Sequence, residues 1–244
     1  METILGIDIG GSGIKGAMVD IAKGELATER IRIPTPEGAR PADVAETVGQ
    51  LVSRFQYQGL VGAGFPAVVL HGVVKTAANI HASWIGQNVD RLLSKASACT
   101  VLTGNDADVA GLAEMTFGAG RDQKGVVLVV TLGTGIGSAI FVDGKLVPNT
   151  ELGHIQIRGK DAEQRASDAV RQAKNLTWEK YARRLQEYLD AIESLIWPDL
   201  IIIGGGISKQ SYEFLPFVNT KAKIIPAQLL NQAGIVGAAL YATT

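Results

Sequence analysis

The sequence predicts an α/β protein of two related lobes, and three observations carry that prediction. Apolar runs of strand length alternate with segments whose apolar residues fall at helical spacing. At 244 residues the chain exceeds the usual size of one domain, and two lobes of roughly 100 residues each are an ordinary outcome. A strand–glycine turn–strand unit also occurs once in each half. IleLeuGlyIleAspIleGlyGly, followed by MetValAsp, aligns with LeuValValThrLeuGlyThr, followed by PheValAsp. Gly10 precedes Asp20 by the same interval that separates Gly133 from Asp143.

Taken in order, residues 3–9 read as a buried strand, Gly10–Gly13 as a glycine-rich turn and Gly16–Val19 as a second strand. Residues 25–33 read as a third strand. Val44, Val48, Leu51, Val52 and Phe55 give 41–55 a helical face. Leu60–Phe65 and Val101–Thr103 are short apolar strands, and Asp106–Phe117 is a helix with Gly118 as its stop. The β-branched run Val126–Leu132 passes through Gly133, Gly135 and Gly137 into a strand over Ser138–Val142, where Asp143-Gly144 signals a hairpin. Helical patterns cover 161–172 and 177–196. A strand over Asp199–Ile203 runs into Gly204-Gly205-Gly206, and a small-residue helix around Gly234–Tyr241 follows. The expected lobes are 1–104, smaller and completed by the C-terminal helix at about 229–244, and 105–228.

Composition narrows the function classes. An apolar fraction of 46% against 19% charged residues excludes a disordered chain. A net charge of −1 gives no reason to expect a nucleic-acid-coating surface. The single cysteine, Cys99, excludes an internal disulfide framework and fits a reducing compartment. No secretory signal is expected at the N-terminus, and no window approaches the roughly 18–20 apolar residues of a membrane span. These features together predict a cytoplasmic protein.

The glycine-rich turns carry the chemistry. In Asp8-Ile9-Gly10-Gly11-Ser12-Gly13-Ile14-Lys15-Gly16, residues without side chains let several backbone N–H groups point at one anion. Ser12 adds a hydroxyl donor and Lys15 a charge, while Asp8 is placed to hold a magnesium-bound water. A tight hairpin without a ligand accounts for the same residues. Gly11, Gly13 and Gly16 also spell G-x-G-x-x-G. A dinucleotide fingerprint must open a helix, however, and Gly16-Ala17-Met18-Val19-Asp20 reads as strand. No Walker-type G-x-x-x-x-G-K-[ST] is present. Thr131-Leu132-Gly133-Thr134-Gly135-Ile136-Gly137 has the same character as the first turn, and two such loops suggest a phosphate chain held between lobes.

Asn105-Asp106 follows apolar Val101-Leu102 and precedes a helix. That position suits a helix cap, and it equally suits a base that takes a proton from a hydroxyl. Glu151 and His154 can together hydrogen-bond vicinal sugar hydroxyls. His71, His81, His154 and Cys99 are too scattered to spell a zinc site by spacing, and no G-x-S-x-G elbow occurs.

Together these residues resemble the ROK family of sugar kinases, within the actin-like ATPase (hexokinase and ribonuclease H-like) superfold. Asp8-Ile9-Gly10-Gly11-Ser12 resembles the family's first phosphate loop, Asn105-Asp106-Ala107 its catalytic segment and Leu132–Gly137 its second phosphate loop. Glu151-Leu152-Gly153-His154 is similar to its ExGH sugar motif, Glu163–Ser167 to its E-x-x-A-S element, and Gly204-Gly205-Gly206-Ile207 to the segment beside the nucleotide. A narrower resemblance is to the family's polyphosphate-using glucose kinases. It rests on AspIleGlyGlySerGlyIleLysGly, HisGlyValValLysThrAlaAlaAsn with SerTrpIleGly, ValProAsnThrGluLeuGlyHis, IleTrpProAspLeu and AlaGlyIleValGlyAlaAla.

The resemblance implies a duplicated mixed-sheet core with an interlobe cleft, and transfer of a terminal phosphoryl group to the 6-hydroxyl of glucose. It makes Asp106 the base, with Asn105, Glu151, His154, Glu163 and Asn79 on the sugar. The donor phosphates fall to Asp8, Gly10, Gly11, Ser12, Gly13, Lys15, Thr131, Gly133, Thr134, Gly135, Gly137, Gly204, Gly205 and Gly206. Magnesium is implied, carried by the donor phosphates and held through water near Asp8. The donor is polyphosphate or ATP, the alternative being a strictly ATP-dependent hexokinase for glucose, mannose or an N-acetylhexosamine.

Many members bind a structural zinc through a cysteine cluster that this chain lacks, so none is expected. The sugar-side loop reads Phe65-Pro66-Ala67 where Pro-Gly is usual. Lys15, Arg121, Lys124, Arg158, Lys160 and Arg165 are candidates for a cationic polyphosphate track. A sugar-sensing repressor of the family would carry an N-terminal helix-turn-helix, for which a strand beginning at residue 3 leaves no room. A homodimer is the family expectation.

Overall fold

The computed structural model describes residues 2–244. The chain forms two compact units, one running through Phe117 and taken up again at Gln232–Thr244, the other Gly118–Asn231. With elements numbered in chain order, the first unit holds strands β1 (Thr3–Gly10), β2 (Gly13–Asp20), β3 (Glu25–Leu26), β4 (Ile31–Ile33), β5 (Leu60–Phe65), β6 (Val69–Leu70), β7 (Val73–Val74) and β8 (Thr100–Asn105). Its helices are α1 (Pro41–Arg54), α2 (Val89–Ser97), α3 (Asp106–Phe117) and α8 (Ala233–Tyr241). The second unit holds β9 (Val126–Leu132), β10 (Ile136–Val142), β11 (Lys145–Val147), β12 (Gln156–Ile157), β13 (Lys160–Asp161), β14 (Leu200–Gly204) and β15 (Lys223–Pro226). Its helices are α4 (Glu163–Ala166), α5 (Asp168–Ala173), α6 (Trp178–Ile196) and α7 (Ser211–Phe214).

The two main sheets share one plan. In the first, the order is β3-β2-β1-β5-β8, with β4 also on β2; in the second it is β11-β10-β9-β14-β15. Each opens with an antiparallel hairpin, β1–β2 or β9–β10, and continues with two parallel strands. This is the duplicated mixed-sheet core that the family resemblance implies, and it accords with the two related lobes that the repeated strand–turn–strand unit predicts.

In the first unit the odd residues of β1, Leu5, Ile7 and Ile9, are buried in a core with Val44, Val48 and Leu51 of α1. On the opposite face β1 and β5 carry glycines where α8 lies on the sheet. A side chain at Gly6 or Gly62 would run into the carbonyls of Ile235 or Ala238. The small residues of α8 are therefore a packing requirement, since backbone can approach backbone only where no Cβ intervenes. The same helix packs on α3, where Gly237 faces the carbonyl of Val109. That contact explains why the first unit runs through Phe117 rather than ending after Gly104, the expected boundary.

The second core is built by Leu128, Val130, Ile201 and Ile203 from the sheet, and Leu185, Tyr188, Leu189 and Ile192 from α6.

Two expected elements are broken. Residues 25–33 form two strands because the Thr28 hydroxyl accepts from Met18 N at 3.1 Å and so takes a ladder position from the backbone. Over 161–172 the chain is β13 followed by α4 and α5, interrupted at extended Ser167, whose hydroxyl caps α5 at Val170 N. The sequence reading passed over α2, which Asn88 caps through Arg91 N at 2.8 Å. No helix among the described residues is long and apolar enough to cross a membrane.

Candidate active site

Asp106 and Asn105 sit where β8 meets α3. The cap belongs to Asn105, whose Oδ1 accepts from Ala107 N at 2.9 Å and Asp108 N at 3.2 Å. Asp106 stands half-buried in the first helical turn, where the helix dipole favours an anion. Asn105 Nδ2 donates to Ala67 O at 3.2 Å, so the Asn105 amide ties the helix start to the Phe65-Pro66-Ala67 loop. Its oxygen is engaged by backbone, which limits any part in holding a sugar to the amide nitrogen. Asn79 is exposed in the loop after β7.

The first glycine turn is held from outside. Thr35 Oγ1 donates to Gly10 O at 2.5 Å, and Arg32 Nη2 donates to Ser12 O at 2.5 Å. Both carbonyls are thus engaged by side chains. Gly13 provides room for the clamp, since a Cβ there would lie 2.5 Å from Arg32 Nε. Asp8 and Lys15 are cross-strand partners, and Lys15 Nζ meets Asp8 Oδ2 at 3.0 Å. Sequence reasoning passed over Arg32 and Thr35, because their link to the turn is a long-range strand pairing.

In the second unit the second glycine turn and Gly204–Gly206 come together at the ends of parallel strands. Gly204 pairs with Thr131, and Gly205, at φ +82°, lies against the Leu132 backbone. Backbone bonds close this turn: Gly133 N donates to Gly135 O, and Ala169 N donates to Gly133 O, each at 3.1 Å. Thr134 and Gly206 are exposed beside it.

Glu151, His154 and Glu163 converge in the same unit. Gly153 lets this segment press on β10, because a side chain there would overlap the Ile136 carbonyl. The Ser138 hydroxyl receives Leu152 N at 3.0 Å and donates to Thr150 O at 2.6 Å, fixing the segment's entry. Glu163 Oε2 accepts from Ile136 N at 3.4 Å. His154 Nε2 lies 3.5 Å from Glu151 Oε2, and His154 Nδ1 lies 2.9 Å from Asp161 Oδ2. Gln156 Nε2 donates to the other oxygen of Asp161. Polar atoms of His154, Asp161 and Glu163 all lie within 4.8 Å of one another.

The electrostatics follow from that geometry. The hydrogen bond to Asp161 raises the His154 pKa, assisted by the nearby carboxylates and opposed by burial. The same bond lowers Asp161. Burial raises Glu151, with Glu163 adding to the effect and His154 working against it. A half-buried cluster of two glutamates and an oriented imidazole offers both donors and acceptors to a polyhydroxylated ligand. Asp161 is the member that sequence reasoning missed. It lies beyond a two-strand turn from His154, and only the β12–β13 pairing returns it to the imidazole.

The expected cationic track is largely engaged by protein carboxylates. Arg158 and Arg165 share Glu187 at 2.7 and 2.5 Å, and Arg121 faces Asp122 at 3.6 Å.

The ROK family profile matches residues 4–165. A polyphosphate glucokinase of Mycobacterium tuberculosis (strain CDC 1551 / Oshkosh) is 48% identical over 96% of this chain and 89% of its own length. A polyphosphate glucokinase of Mycobacterium leprae (strain TN) is 45% identical over 98% of this chain and 74% of its own length. The solved inorganic polyphosphate/ATP-glucomannokinase of Arthrobacter sp. strain KM superposes with a TM-score of 0.97 and 49% identity, covering 100% of this chain and 99% of that one. A ROK family glucokinase of Streptomyces griseus, solved with glucose and AMPPNP, is 24% identical with a TM-score of 0.83 over 98% of each chain, a likeness of fold. The profile spans the first glycine turn, Asn105-Asp106, the second glycine turn and the Glu151–His154 and Glu163 segments, and the chain belongs to the ROK family.

Proposed function

We propose that this protein is a polyphosphate-dependent glucokinase that moves the terminal phosphoryl group of inorganic polyphosphate, or of ATP, to the 6-hydroxyl of glucose, giving glucose 6-phosphate. The observation that carries the reading is 48% identity over 96% of the chain to a polyphosphate glucokinase. The fold likeness to a polyphosphate/ATP-glucomannokinase agrees with it.

In this mechanism Asp106 accepts the proton of the 6-hydroxyl and orients the oxygen for in-line attack. Its place in the first turn of α3, directly after the capping residue Asn105, supports the assignment. Glu151, His154 and Glu163 hold the ring hydroxyls, with Asn79 and the Asn105 amide nitrogen as lesser contacts. Asp161 keeps the imidazole of His154 at a fixed angle, leaving Nε2 to face ligand and Glu151. Gly10–Gly13, Ser12 and Lys15 bind donor phosphates, as do Thr131, Gly133–Gly137 and Gly204–Gly206. Most of the rate enhancement then comes from positioning and electrostatic stabilisation.

The donor chemistry fits magnesium carried by phosphate and water. Asp8 is a lone carboxylate with one oxygen on Lys15, and it takes part in no convergent group of three His, Cys, Asp or Glu side chains among the described residues. Asp8 would hold such an ion through water, and magnesium would offset charge on the transferred group. No structural zinc is part of this reading, and family resemblance supports a cytoplasmic homodimer.

The test is a matrix of initial rates with ATP, GTP and long polyphosphate against glucose, mannose, fructose and N-acetylmannosamine. Polyphosphate with glucose is expected among the fastest pairs. Turnover with ATP and none with polyphosphate would establish the strictly ATP-dependent alternative instead.

A further inference from the structure

We propose that Arg32, with Lys15 beside it, forms a subsite for phosphoryl units of the polyphosphate chain that ATP does not fill, so that Arg32 sets donor preference. The proposal rests on the polyphosphate reading above and adds a residue to it.

The argument begins with register. Asp8 pairs with Lys15 across β1–β2, and Lys15 pairs with Arg32 across β2–β4. Directly paired residues share a sheet face, so Asp8, Lys15 and Arg32 make a transverse row over three strands. Two like charges placed directly opposite each other destabilise a sheet. Lys15 is balanced by Asp8 at 3.0 Å, whereas Arg32 forms no ion pair among the described residues. Its guanidinium instead lies on the first glycine turn, with Nη2 on the Ser12 carbonyl. Its position above Gly13 is open to it only because Gly13 has no side chain. A guanidinium has five N–H donors, of which this bond uses one.

An exposed, uncompensated guanidinium on a phosphate-binding turn, opposite a second cation, fits a polyanion. Distance selects which one. Arg32 stands two strands from Asp8, roughly 10 Å at the usual strand spacing. An extended chain carrying charge on every phosphate continues over such a distance, whereas a nucleotide's charge stops at its third phosphate and gives way to ribose and base. Guanidinium groups also suit phosphate oxygens through paired N–H donors.

The competing account is that Arg32 only braces the turn. Arg32→Gln keeps an N–H group for the Ser12 carbonyl and removes the charge. Arg32→Lys keeps the charge. Thr35→Val removes the other brace, at Gly10 O, with no change of charge. Each purified variant is assayed for kcat/KM with long polyphosphate and with ATP at saturating glucose, over a series of salt concentrations. Arg32→Gln is expected to lose about tenfold with polyphosphate and less than about twofold with ATP, and to flatten the salt dependence of the polyphosphate reaction. Arg32→Lys should recover most of the loss, while Thr35→Val should affect both donors alike.

An equal loss with both donors, or an unchanged polyphosphate rate in Arg32→Gln, overturns the subsite while leaving the glucokinase reading intact. A wild-type enzyme that turns over ATP and not polyphosphate overturns both.

Discussion

The two glycine turns occupy equivalent places in equivalent sheets, yet they are held in opposite ways. In the first, β1 and β2 pair as far as Gly10 and Gly13, leaving Gly11 and Ser12 as the loop. Thr35 and Arg32 grip its carbonyls from outside. In the second, pairing stops at Leu132 and Ile136, so the loop is Gly133-Thr134-Gly135, one residue longer. Backbone hydrogen bonds and the close approach of Gly205 hold it. The first turn is flanked by Lys15 and Arg32, and the second offers threonine hydroxyls. The two turns share a frame, while their bracing and charge differ. Side chains thus grip the carbonyls of the first turn, whereas backbone bonds, the Glu163 carboxylate at Ile136 N and the close approach of Gly205 hold the second.

The largest expected effect falls on Asp106, in the first unit. Asp106→Asn keeps size and helix start but cannot accept the proton, so kcat should fall by about 10²–10⁴-fold with glucose affinity nearly intact. Steady-state kinetics with a glucose titration check this, and near-normal turnover with glucose bound would remove Asp106 as the base.

Next comes the glycine dependence of the second turn. At Gly205 the φ of +82° and the Leu132 backbone both oppose a side chain. Gly205→Ala should destabilise the protein by about 1–3 kcal/mol, read as a shift in denaturation midpoint. Gly11→Ala meets nothing nearby and should cost far less. Equal losses would erase the contrast between the turns.

A smaller effect is expected at the cluster of Glu151, His154 and Glu163. His154, raised above its ordinary 6.5, adds stability that is complete below that pH and fades as the pH climbs through its folded value. Asp161, lowered from 3.8, adds stability that is complete above 3.8 and fades as the pH drops through its folded value. The pair therefore stabilises most between about pH 4 and 6.5. Asp161→Asn should bring the His154 titration, followed by NMR, down toward 6.5 and raise the glucose KM several-fold. An unmoved titration would show that Asp161 does not hold the imidazole.

The smallest expected effect is on Thr35. Thr35→Val removes one partly buried hydrogen bond and should cost about 0.5–1.5 kcal/mol in thermal or denaturant unfolding. No loss of stability would mean that the first turn holds itself, as the second does.

Much of the frame was legible in the sequence because its signals are local. Strand runs bounded by glycine gave both hairpins, and apolar spacing gave α1, α3 and α6. Which of Asn105 and Asp106 caps α3 could not be read from the sequence, since either residue type suits a helix start. The distinction lies in which side chain turns back to Ala107 N and Asp108 N, and that depends on the path of β8 into α3. Residues 25–33 looked continuous because period-2 patterning does not register the Thr28 hydroxyl entering the ladder at Met18.

By itself, then, the sequence determined the two-lobed α/β plan and the twin glycine turns. These follow from residue type and short spacing, which fix backbone freedom and periodicity without reference to distant parts of the chain. Tertiary structure alone decided that Arg32 and Thr35 clamp the first turn, that Asp161 orients His154 and that α3 packs with α8. Each depends on which strand or helix is brought alongside another, and no local pattern encodes that pairing.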